Sequence, residues 1–139
     1  MSLLADIYIS RDDAEAVRYD TDPATFGDRE QFKSITILEI STLWSLMRGI
    51  EWDANLLDQF PCVLEIHNGE RLIHRLPQEM AANLASLTPE EAFTAASKWA
   101  VTEELACEPG EVQPIIDGLV RLARKSSATG QRIYFWNCV

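Results

Sequence analysis

The chain lacks any apolar run approaching the roughly 20 residues that a membrane helix needs. Its start has no basic segment followed by a long apolar stretch, so no secretory signal is expected. Cysteines are few: Cys62, Cys107 and Cys138, an odd number at irregular spacing with no CxxC pair. That is a poor disulfide framework, and it gives no zinc or redox motif. Three reduced thiols are expected, at least two of them buried, in a cytoplasmic protein. There is no GxSxG elbow, no phosphate loop and no GxGxxG, so no catalytic residue or cofactor is assigned. Internal repeats, low-complexity tracts and linkers are missing too.

Positive charge is also scarce. Twelve Lys and Arg stand against 22 Asp and Glu, for a net charge of -10. Such a surface repels phosphate backbones and anionic membranes, which argues against nucleic-acid or membrane partners. It would steer a basic protein partner inward. The commoner reading of such a surface is solubility alone. The 139 residues, 47% of them hydrophobic, suit one globular domain over 1–139.

Hydrophobic periodicity orders the chain. Leu4–Ile9 reads as a strand. Ser10 offers an N-cap to a short helix over 11–18, with Asp12, Asp13 and Glu15 in its first turn. Residues 19–31 read as a polar loop of about a dozen residues, a length often tied to function. A helix over 36–48 places Ile37, Ile40, Leu43, Trp44 and Met47 on one face, and Gly49 ends it. A helical turn is expected over 53–59, closed by Pro61. Around Asn68-Gly69 a two-residue hairpin pairs His67 with Glu70, Glu65 with Leu72 and Val63 with His74. Leu64, Ile66 and Ile73 then share the core face. Pro77 starts a helix over 78–87. Thr88-Pro89-Glu90-Glu91 is a capping box opening a helix over 89–105 that buries Phe93, Ala96, Trp99 and Ala100. A final helix covers 111–127, where Gly118 marks close packing. The aromatic stretch Arg132–Val139 must lie inside the sheet beside the first strand.

Few residues offer chemistry. In the expected hairpin register His67 and His74 share one face, on the order of 13 Å apart at ~3.4 Å per residue, too far to share a metal. They read as polar residues on a wet face. Asp20, Asp22 and Asp28 crowd the long loop, but the calcium-loop offsets are not met, so no metal is assigned. Trp44, Trp99 and Trp136 read as packing residues. Trp52 follows a helix end beside acidic residues. Packing is the commoner fate of such a residue, and an interface or pocket is the alternative. The candidate binding residues are Tyr19, Asp20, Asp22 and Asp28 with Arg48, Glu51 and Trp52.

Two stretches, Leu43-Trp44-Ser45-Leu46-Met47-Arg48-Gly49 and Arg71-Leu72-Ile73-His74-Arg75-Leu76-Pro77-Gln78-Glu79, carry a resemblance. With the long last helix and the aromatic strand after Gly130, the chain from Ile35 onward resembles the YfbM-like family of small bacterial proteins. The first 34 residues do not follow that pattern. The resemblance implies a bacterial cytoplasmic protein with helices packed on a small mixed sheet. That family has no assigned function, so it transfers no site residues.

The expected fold is therefore α+β. Terminal strands and a central hairpin form a mixed or antiparallel sheet, with about four main helices. Three functions fit. The first is a non-enzymatic acidic interaction module, of regulatory or immunity type, with a basic protein partner. The second is a small-molecule binder or enzyme with a pocket between 19–31 and 48–53. The third is a homo-oligomeric structural subunit.

Overall fold

The computed structural model describes residues 3–138, so Val139, the expected last strand residue, lies outside it. Five strands form one sheet: β1 (Leu4–Ser10), β2 (Arg29–Lys33), β3 (Cys62–Ile66), β4 (Arg71–Arg75) and β5 (Arg132–Cys138). Their order is β2-β1-β5-β4-β3, with every neighbouring pair antiparallel. The fold is α+β, as expected, and the sheet is wholly antiparallel rather than mixed. The aromatic C-terminal strand lies at its centre, beside β1.

Alternation along the two central strands sets the layers. Ala5, Ile7 and Ile9 on β1, with Ile133 and Phe135 on β5, meet the helices α2 (Ile37–Arg48), α3 (Gln78–Ala85), α4 (Pro89–Ala100) and α5 (Pro109–Thr129). This is the main core. Tyr8 on β1, Tyr134 on β5 and Ile73 on β4 face the opposite way, into a second, aromatic cluster. A strap covers that cluster: α1 (Asp13–Ala16), a 3-10 turn over Val17–Asp20 and another over Pro23–Thr25. The protein thus has three layers, with the sheet in the middle.

Local signals explain the helix ends. Thr36 caps α2 through Leu38 N, and Gly49 ends it at φ 67°. The capping box of Thr88 and Glu91 starts α4. Pro109 opens α5 at its first position, where a missing N–H costs little, whereas Pro114 lies inside the helix, which starts two residues earlier than expected, and gives up one intrahelical bond. A Cβ on Gly118 would stand 3.0 Å from Glu30 Cγ and 3.1 Å from Phe32 Cζ, so this glycine does mark the close approach of α5 to β2.

Several expectations fail for identifiable reasons. Residues 19–31 are not an irregular loop: they hold the end of one 3-10 turn, the whole of a second and part of β2. The sequence Arg-Glu-Gln-Phe-Lys gives no apolar alternation because β2 is an edge strand, and charged side chains protect an exposed edge. Ser10 closes β1 and Asp12 caps α1 instead. α3 ends at Ala85, and α4 ends at Ala100 rather than near 105. Phe93 is 63% exposed, because the buried stripe of α4 runs through Ala92, Ala95, Ala96, Trp99 and Ala100. The hairpin keeps Glu65 opposite Leu72, but a bulge at Val63 puts Cys62, not Val63, opposite His74. Asn68 and Gly69 do take positive φ, joined there by His67. Ile73 is buried, with Leu64 against it, but in the aromatic cluster rather than the helix-side core. None of the three cysteines is fully buried, and Cys62 is exposed.

Candidate functional site

The strap-side face of the sheet carries a linked set of carboxylates, tyrosines and arginines. Cross-strand register arranges it in three rows. The first is Arg29, Tyr8, Tyr134 and Arg75; the second is Gln31, Asp6, Trp136 and Ile73; the third is Lys33, Leu4, Cys138 and Arg71. The rings pack closely above them. Tyr8 stacks on Tyr19 with centroids 4.1 Å apart, and Phe26 meets Tyr8 edge-on at 5.1 Å.

Three aspartates fasten this layer. Asp13, on the strap, accepts from Tyr134 Oη at 2.7 Å and from Arg75 at 2.6 Å. Asp20, also on the strap, accepts from Arg71 Nε at 2.8 Å and from Trp136 Nε1 at 3.0 Å, both at Oδ1. Asp6, on β1, accepts from Tyr19 Oη at 2.6 Å. The Tyr8 hydroxyl donates to the Ala16 carbonyl at 2.7 Å. Burial by itself would raise the Asp13 and Asp20 carboxyls. The donated hydrogen bonds and the arginine charges outweigh it and hold both below the usual carboxylate range. Burial, reinforced by neighbouring acidic groups, pushes all three tyrosines well above their usual value.

Tyr19 and Asp20 are therefore fasteners of the strap. Asp20→Ala is expected to strip the hydrogen-exchange protection of 13–26 while leaving that of α4 and α5 intact. Equal loss in both regions would mean that the strap is not a separate unit.

The other candidate residues lie elsewhere. Asp22 is exposed at the start of the second 3-10 turn. Asp28 faces α5, 3.7 Å from Arg121 and 3.6 Å from Lys125. Arg48 sits 4.5 Å over the Trp44 ring and 3.8 Å from Glu79. Trp52 is 36% exposed and its Nε1 donates to Ser41 Oγ at 3.0 Å, which pins the ring beside α2. Glu51 is exposed. The expected pocket between 19–31 and 48–53 does not form. Tyr19 packs on the strap side of the sheet, whereas Arg48 and Trp52 belong to the helix side.

The histidines are also separated. His74 is in register with Phe135 on the helix side, and His67 stands exposed in the turn. His74 Nδ1 is buried without a hydrogen-bond partner, and burial lowers its pKa, disfavouring the charged ring. Among the described residues no group of three or more His, Cys, Asp or Glu could hold a metal ion. Nor is any helix there long and apolar enough to cross a membrane.

Openings lie on the fastened face, and one of them reaches Asp6. A cleft of about 360 Å³ is lined by Leu4, Asp6, Pro23, Gln31, Phe32, Lys33 and Trp136. Of these, only Asp6 and Trp136 take part in the fastening network through direct hydrogen bonds to strap residues. None of these seven residues was singled out as a binding residue from sequence. The available signal was an aspartate alternating with apolar residues on a strand that the chain must bury.

Comparison with known proteins adds no identity: no family model, curated protein or solved structure matches this chain.

Proposed function

We propose that this chain is a non-enzymatic interaction module, of regulatory or immunity type, that engages a basic protein partner. The observation that carries this reading is the segment after α2. Ile50 is 44% exposed and Trp52 36% exposed, among the exposed carboxylates Glu51, Asp53 and Asp58. Those three carboxylates have no ion-pair partner among the described residues. An aromatic anchor with a polar rim is the arrangement of a protein interface. The net charge of -10 favours a cationic partner over nucleic acid or an anionic membrane.

Placement in the bacterial cytoplasm and kinship with the YfbM-like family belong to the same proposal. They are supported by the reduced-thiol composition and by the Leu43–Gly49 and Arg71–Glu79 stretches.

The test is a pull-down from lysate at low and high salt, followed by titration of the recovered partner. Capture of a basic protein at low salt and its loss at high salt is expected. Glu51→Lys with Asp58→Lys should slow association and flatten the salt dependence. Trp52→Ala should weaken binding by about 2 kcal/mol or more if the ring is an anchor. A partner whose affinity ignores all three changes would sink the proposal. Light scattering of the isolated chain separates this reading from a homo-oligomeric subunit, whose mass would rise with concentration.

A further inference from the structure

From the cleft on the strap side of the sheet, we infer a binding site for a zwitterionic α-amino acid with an apolar side chain. The inference is independent of the interaction surface at 50–58. It starts from Asp6, which is only 6% exposed. Both of its hydrogen bonds, from Tyr19 Oη at 2.6 Å and from Gln31 Nε2 at 3.4 Å, fall on Oδ2. Oδ1 has no partner among the described residues, and Asp6 lines the cleft. Among the described residues the one buried side-chain atom without a partner is His74 Nδ1, so Asp6 Oδ1 stays open to solvent, and a donor reaching it through the cleft would replace water with a charge-assisted hydrogen bond.

The surroundings specify that donor. Gln31 is the cross-strand neighbour of Asp6 on one side and Trp136 on the other. An ammonium group at Oδ1 would sit beside the indole and within reach of the Gln31 amide oxygen, gaining charge-assisted hydrogen bonds and ring attraction. Lys33 stands one row further along the same face, about 7 Å away by strand spacing. It is exposed and has no ion-pair partner among the described residues. Its ammonium can meet a carboxylate attached close to the ligand's own ammonium. Leu4, Pro23, Phe32 and Trp136 supply the remaining apolar wall.

Three ligand classes are disfavoured. A plain anion meets Asp6 and the chain's net charge of -10. A plain cation gains Asp6 but is opposed by Lys33. A ligand much larger than an amino acid exceeds about 360 Å³, near the lower end of ligand clefts. A zwitterion satisfies both charged groups at no net charge.

The experiment is an amide and indole NMR titration of the whole chain. Its probes are L-leucine, L-methionine and L-phenylalanine, together with the amines and acids made by removing the carboxyl or amino group of each. Saturable shifts are expected at Leu4, Asp6 and Lys33 and at the Trp136 indole for at least one amino acid. Its amine and acid analogues should bind about tenfold more weakly, or worse, since each lacks one charged hydrogen bond. Lys33→Gln, a change at an exposed edge residue that leaves the fold intact, should cost a similar factor. No saturable shift with any of the three amino acids would overturn the inference. So would an amine that binds as well as its parent amino acid and ignores Lys33→Gln.

Discussion

Above pH 10 the protein is expected to unfold in one cooperative step, with all its phenolates appearing together. The chain's three tyrosines are Tyr8, Tyr19 and Tyr134, and they are 0%, 1% and 0% exposed. Burial disfavours each phenolate. Tyr8 is pushed further up by Tyr134, Tyr19 and Asp20, Tyr19 by Asp6, and Tyr134 by Asp13. Arg29, beside Tyr19, and Arg75 and Arg132, beside Tyr134, pull the other way without prevailing. In the unfolded chain each hydroxyl titrates near 10.0. The folded values lie above the unfolded one, so the stability they contribute is complete below pH 10 and is lost as pH rises beyond it. The loss is about 1.4 kcal/mol per pH unit for each tyrosine, about 4 kcal/mol per unit for the three. A domain stable by about 5–15 kcal/mol exhausts that margin within about one to four units. Near-ultraviolet phenolate absorbance and far-ultraviolet circular dichroism, recorded on the same samples, should change together. Phenolate forming near pH 10 with the helical signal intact would mean that the strap does not seal the face.

Replacing Trp99 with alanine is expected to cost about 3–5 kcal/mol, the range for truncating a buried tryptophan. Trp99 is fully buried in the helix-side core, and its Nε1 donates to the Glu39 carbonyl at 3.0 Å. It therefore ties α4 to α2 by packing and by a hydrogen bond. Against a typical total of about 5–15 kcal/mol, this one change takes a large share. Trp99→Phe keeps most of the bulk and loses the donor, so it should cost less than the alanine variant. Urea midpoints with an unchanged slope would measure both. A loss below about 1 kcal/mol for the alanine variant would show that the seam between α2 and α4 is loose.

The acid side has a smaller counterpart. Asp13 and Asp20 are held below the ordinary carboxylate range, so what they contribute is present above about pH 4 and is lost as pH falls further. Half-exposed Asp13 contributes less than the geometry of its bonds suggests, because solvent screens it. The strap should loosen first at this end.

By itself the sequence determined both ends of α2, the start of α4, and the place of the last strand inside the sheet beside the first. Capping chemistry is local, so Thr36, Gly49 and the Thr88–Glu91 box were legible without a fold. An aromatic terminal stretch has one way to avoid water, and β5 duly occupies the middle of the sheet.

What the tertiary structure alone decided was pairing between distant segments. β2 is legible only beside β1, because an edge strand needs no apolar alternation. Phe93 looked like core by composition, but the orientation of α4 on α2 and α5 gave the buried stripe to small alanines and Trp99. Tyr19 and Asp20 were singled out as candidate ligand contacts. Their partners, Asp6, Arg71 and Trp136, lie 13, 51 and 116 residues away, and sequence spacing carries no trace of such bonds. The cleft at Asp6 has the same origin. Three strands and the strap must first assemble before one carboxylate oxygen is left facing an opening, and hydrophobic periodicity records only which side of a strand is buried.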